Sequence, residues 1–175
     1  MTQPLQTVHQ FAYVVKDLDQ ALKYWVEELK VGPFYVYEHC PLDNQIYRGN
    51  TGKAADVTLA LGYSGDAQIE LIVQHNEAPS VYKEWIDAGR EGLHHFGIMP
   101  VDYHAARQHY IDIGHEPAFE CTIGDAPLVY FDTLDVLGHY TEFWDNSPVY
   151  KGLFEMLCDA HKNWDGKNPV RQGAL

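Results

Sequence analysis

The sequence is short of cations, short of cysteine and without a long hydrophobic run, and each shortage removes a class of function. Twelve Lys and Arg against 25 Asp and Glu give a formal net charge of −13. Phosphate backbones and anionic bilayers are repelled by such a chain, so neither nucleic acid nor membrane is an expected partner. No apolar stretch approaches the roughly 18 residues of a membrane span. The opening residues, MTQPLQTVHQ, carry neither the basic segment nor the apolar stretch of a secretion signal. The three cysteines, Cys40, Cys121 and Cys158, form no CxxC pair and read as reduced packing residues. A cytoplasmic location is the expectation. With 46% hydrophobic and 21% charged residues over 175 positions, the chain can bury a core, as one domain or two very small ones sharing it.

What is present is a repeat. Gln10–Val15 reads as a buried strand, and Asp17 with Gln20 has capping-box spacing at the start of a helix. Leu18, Ala21, Leu22, Trp25, Val26 and Leu29 then form one apolar stripe, which Gly32 and Pro33 end. Shifted by 85 residues, Phe96–Pro100 is again a short strand, Asp102 takes the place of Asp17, Ala106 that of Ala21 and Tyr110 that of Trp25. Three strand-like stretches follow each helix, at about 35–47, 56–63 and 68–74, and at about 118–123, 128–134 and 139–144. Each copy is therefore βαβββ. The expected domain covers 1–148, with module 1 at about 6–76 and module 2 at about 92–147. A linker helix at about 79–88, a C-terminal amphipathic helix at about 149–161 and a loosely held tail to residue 175 complete the reading.

Strand alternation turns the repeat into a candidate site. Phe11, Tyr13, Phe96 and Ile98 fall on the helix-facing side, leaving Gln10 and His95 as equivalent polar residues on the other side. Ala12 and Gly97 beside them are small enough to leave room for a ligand. In the last strand of each copy, Glu70 in QIELIVQ and Glu142 in HYTEFWD are lone carboxylates among apolar residues. Burying one costs free energy unless it is paired or bound to a cation, and two at matching places suggest a shared cation. His9 and His94 fall on the opposite face, as structural or solvated residues.

The segments FAYVVKDLDQAL, QIELI, GLHHFGI and YTEFWD resemble the vicinal oxygen chelate superfamily over about residues 7–146. That superfamily includes glyoxalase I, methylmalonyl-CoA epimerase, extradiol dioxygenases and bleomycin-resistance proteins. The resemblance implies an α+β fold in which two paired βαβββ modules form a curved mixed sheet around a cleft, here with an added C-terminal helix. It implies metal ligands at Gln10, Glu70, His95 and Glu142, a set similar to the zinc site of eukaryotic glyoxalase I. It also implies a divalent ion, zinc first, with nickel, cobalt, manganese or magnesium as alternatives. The expected activity is that of an isomerase, epimerase or lyase acting on a small carbonyl compound through a metal-stabilised enolate, with Glu142 as main base and Glu70 as its partner. A homodimer is expected, because members of the family commonly bury a sheet edge or added helix against a second chain. Two alternatives are a non-enzymatic binder of the bleomycin-resistance type and an Fe(II) extradiol dioxygenase. The arginine positions that hold glutathione in glyoxalase I fall on Val14 and Glu91, which argues against glutathione here.

Overall fold

Two aspartates begin matching helices in matching ways. In the computed structural model, which describes residues 7–174, Asp17 Oδ1 accepts from the Gln20 backbone N–H and Asp102 Oδ1 from that of Ala105, both at 2.9 Å. Both caps are extended, with φ of −131° and −126°, so each chain leaves its strand and enters its helix along the same path. The first copy runs β1 (Val8–Val14), α1 (Leu18–Lys23), β2 (Phe34–Tyr37), β3 (Asp43–Tyr47), β4 (Asn50–Thr51), β5 (Val57–Ser64) and β6 (Ala67–Gln74). Between α1 and β2, a π-helical turn spans Tyr24–Glu28. After α2 (Val81–Asp87), the second copy runs β7 (Gly92–Ile98), α3 (Tyr103–Asp112), β8 (Pro117–Ile123), β9 (Ala126–Phe131), α4 (Leu134–Leu137) and β10 (Tyr140–Trp144). The helix α5 (Pro148–Lys162) and strand β11 (Val170–Gln172) close the described chain. Residues 1–6, where module 1 was expected to begin, and residue 175 of the expected tail lie outside the described residues.

The eleven strands of the described residues join one curved mixed sheet in the order β11-β2-β5-β6-β1-β7-β10-β9-β8-β3-β4. At its centre β1 lies antiparallel to β7, with β6 parallel to β1 and β10 parallel to β7. The registers repeat as well: Ala12 pairs with Glu70, and Gly97, 85 residues on, pairs with Glu142. One sheet face is covered by α1 over Phe34, Ile69 and Leu71, and by α3 over Val129, Phe131 and Phe143. The other face, which forms the cleft, packs Ala12, Val14, Leu59 and Ile72 with α2 and α5.

Three sequence expectations change. The single stretch at 35–47 breaks at Glu38–Leu42, where His39 turns the backbone to φ 50° and Pro41 supplies no N–H. Beyond the break, β3 and β4 cross to the far half as a hairpin, in which β3 pairs with β8, Tyr47 opposite Phe119, and β4 forms the edge. Arg48 at the hairpin tip fastens them there, donating to Glu84 of α2 at 2.7 Å and to Asp132 at 2.8 Å. The stretch at 128–134 ends as a strand at Phe131 and turns helical at Leu134, stopping at Gly138 with φ 75°. The tail is not loosely held through its length: β11 adds to the open edge of β2, because an edge strand offers a row of free N–H and C=O groups. The apolar side of α5 lies against its own sheet, with Leu157 2% exposed.

Gly97 also differs from expectation. The space above it holds the Trp144 indole and is not open to a ligand: an ideal Cβ on Gly97 would lie 2.0 Å from Cη2 and 2.4 Å from Cζ2. Gly97→Ala is therefore expected to lower stability by about 1–3 kcal/mol through overpacking. Urea unfolding with an unchanged midpoint would show that the indole does not occupy this space.

Candidate metal centre

Four adjacent strands at the centre of the sheet, β6, β1, β7 and β10, carry Glu70, Gln10, His95 and Glu142 on the cleft face. All four are buried, His95 completely. They meet at one atom. His95 Nε2 lies 3.1 Å from Gln10 Oε1, 3.4 Å from Glu70 Oε2 and 3.1 Å from Glu142 Oε2. The Gln10 amide is turned that way by its own Nε2, which donates to Gln68 Oε1 at 2.7 Å.

A chain of hydrogen bonds behind His95 sets its tautomer. His94 Nε2 is 3.2 Å from the carbonyl of Val81, which can only accept, so this nitrogen carries the proton. Burial, reinforced by His95, holds the His94 pKa well below the ordinary histidine value, so its Nδ1 is bare. That Nδ1 accepts from His95 Nδ1–H at 2.9 Å. The other nitrogen of His95, Nε2, is thereby aimed at three oxygens. The Tyr130 ring stands edge-on to the imidazole, 4.9 Å between centroids, and fixes its plane.

Three oxygens around one nitrogen is an arrangement that asks for a positive charge. Burial alone would lower the His95 pKa, but Glu142 and Glu70 outweigh it and raise it to about 9. A proton on Nε2 can satisfy only one acceptor. Glu142 Oε2, although close, is off the hydrogen-bond direction and has no hydrogen-bond partner. Burial also raises the Glu70 pKa, with His95 opposing the rise and Glu142 adding to it.

The residues fit a divalent ion. Ligand atoms bound at about 2.0–2.2 Å stand about 3.0–3.5 Å from one another, which is the spacing found here. Two carboxylates match a double positive charge, and an all-oxygen and nitrogen set without thiolate suits zinc, nickel, cobalt, manganese or magnesium in an open site. As they stand, no three His, Cys, Asp or Glu side chains among the described residues are arranged to hold a metal ion. Here the donors hold one another, and an ion would replace those contacts.

The two neighbouring histidines differ from each other. His9 is exposed. His94 is on the cleft face together with His95, contrary to strict alternation, because the β1–β7 ladder is bulged: Ala12 pairs with His95 and Tyr13 with Leu93, leaving His94 extra. Its ring is buried against Tyr82, Trp85 and Tyr140. Nothing local in GLHHFGI signals the bulge. Since His94 orients a candidate ligand, His94→Ala is expected to weaken zinc binding by about 10–100-fold. Competition with a zinc indicator would measure this, and an unchanged affinity would remove the orienting role.

Beside Gln10, Glu70 and Glu142 is a cavity of about 40 Å³, closed on the side away from the sheet by Tyr150, Leu153 and Phe154 of α5.

Residues 9–127 match the family model described as Glyoxalase/Bleomycin resistance protein/Dioxygenase superfamily. Glu142 and α5 lie beyond the matched residues. No curated protein sequence matches the chain. Among solved structures, methylmalonyl-CoA epimerase from Mycobacterium tuberculosis is 17% identical with a TM-score of 0.59, covering 87% of this chain and 96% of that one. A Streptomyces coelicolor methylmalonyl-CoA epimerase in complex with 2-nitronate-propionyl-CoA is 16% identical with a TM-score of 0.56, covering 82% and 99%. A hypothetical protein from Bacillus halodurans C-125 is 19% identical with a TM-score of 0.53, covering 81% and 94%. At these identities the likeness is one of fold.

Proposed function

Because the chain belongs to the glyoxalase/bleomycin resistance protein/dioxygenase superfamily, we propose that it is a divalent-metal isomerase or epimerase that moves a proton beside a carbonyl group. The observation that carries the reading is the convergence of three buried oxygens on the Nε2 of His95, with Glu142 Oε2 left without a hydrogen bond. Gln10, Glu70, His95 and Glu142 would hold the ion, which when bound would supply Lewis-acid stabilisation of negative charge on a carbonyl oxygen. The protein's own groups divide the proton work. Glu142, whose Oε2 makes no hydrogen bond, takes the proton from the carbon next to the carbonyl. Glu70, whose carboxyl burial favours the protonated form, returns one from the other side. A homodimer belongs to the same reading, with Val149 and Met156 of α5 left exposed for it.

The oxygenase alternative needs a second histidine ligand. Both nitrogens of His94 are already engaged, with Val81 and with His95, so it has none to offer. His9 is on the exposed side. Metal analysis followed by NMR is the direct test. Zinc, nickel or cobalt bound one per chain, with solvent deuterium entering a carbonyl compound from a library of acyl-CoA, keto-acid and hydroxyaldehyde compounds, is the expected result. A protein that takes up no divalent metal would overturn the reading.

A further inference from the structure

Apart from Gln10, Glu70 and Glu142, the wall of the cavity is aliphatic and aromatic. On the sheet side it is formed by Leu59, Leu61, Leu128 and Trp144, and on the helix side by Tyr150, Leu153 and Phe154. No Lys, Arg or His lines it among the described residues. With both carboxylates ionised, the metal centre offers no surplus charge either, since those of Glu70 and Glu142 cancel the two charges of a divalent ion. An anionic substrate would thus shed its water in a cavity with no counter-charge, inside a chain of net charge −13.

Size adds a second constraint. About 40 Å³ holds only a few water molecules, each needing about 10–15 Å³. An organic substrate enters only if α5 gives way. The helix is attached unevenly. Its first half is held by the buried Tyr150, by ring contacts of Trp144 with Phe154 at 5.2 Å and with Tyr150 at 6.5 Å, and by a single hydrogen bond, from Tyr150 Oη to the Ala126 carbonyl at 3.2 Å. Its second half is pinned by the buried Leu157 and by His161, which donates from Nδ1 to Gly32 O at 2.8 Å and accepts at Nε2 from Gly65 N–H at 3.3 Å.

We propose that the first half of α5 is a lid over a chamber that selects small uncharged carbonyl compounds with an apolar or aromatic body, and that excludes carboxylates and acyl-CoA thioesters. The selectivity comes from the cavity wall, and it rests on the metal-site reading only for where the substrate oxygens go.

Calorimetric titration of wild type, zinc-loaded and metal-free, with 2-hydroxyacetophenone and with phenylglyoxylate compares a neutral with an anionic partner on the same ring. The neutral compound is expected to bind at least about tenfold tighter in both forms, because neither form gives the carboxylate a counter-charge. Leu153→Arg, at a half-exposed position of the lid, should narrow or reverse that preference while circular dichroism stays unchanged. Equal or tighter binding of phenylglyoxylate by wild type, or no binding of either compound, overturns the proposal. A protein that takes up no zinc yet keeps the preference sinks the metal reading and leaves this one standing. One that takes up zinc but prefers phenylglyoxylate does the reverse.

Discussion

His95→Ala should take up no zinc at its central site, and the loss should exceed the 10–100-fold that removal of an orienting partner costs. Every ligand distance in the site is measured to the imidazole Nε2, so deleting the ring removes the atom that Gln10, Glu70 and Glu142 share. The metal-free protein should suffer as well. His95 is fully buried between two buried carboxylates, and breaking a buried ion pair on one side leaves uncompensated charge at a cost of about 3–5 kcal/mol. Two measurements follow. Equilibrium dialysis should find no stoichiometric zinc, and the rise in Tm that zinc produces in wild type should vanish. A variant that still binds one zinc per chain would show that the four residues are not a ligand set.

Glu142→Gln should behave differently, keeping the fold but losing proton exchange by a factor of at least about 10². The amide has the shape of the carboxylate and can offer an oxygen to an ion, so packing against Tyr130 and Trp144 around the cavity is preserved. It cannot accept a proton from carbon. Its lost charge should also weaken the ion, so metal content has to be measured in the same sample. Exchange at the wild-type rate in a fully loaded variant would move the base to another residue, with Glu70 the next to be tested.

What could be read before the fold was known follows from how local each signal is. Phe11 and Tyr13 are large and apolar and go to the helix side, so the face of Gln10 followed from alternation alone. The aspartate caps and the 85-residue offset made the two modules visible, and the place of Glu70 and Glu142 in the last strand of each module carried their correspondence. His94 was misplaced because a bulge is decided by the partner strand and has no signature in its own seven residues. The space at Gly97 was read as room for a ligand because nothing near it in sequence announces that Trp144, from another strand, fills it. The crossing of β3, the pairing of β11 and the closing of the cleft by α5 escaped for the same reason. Each depends on which edge or surface is left free after the modules have assembled.

The hairpin that crosses from one half to the other bears on how the chain is made. Strands β3 and β4 belong to the first βαβββ copy in sequence, yet beyond the hairpin itself β3 finds its ladder partner only in β8, at residues 117–123. During synthesis the first copy leaves the ribosome with this hairpin unpaired, and it stays unpaired until about seventy further residues have been added. Arg48 waits in the same way for Asp132. The two halves are therefore interlocked and are not separable modules. A gene cut between them would yield two fragments, each exposing a strand edge that sticks to other chains, and the intact protein should fold late and all at once.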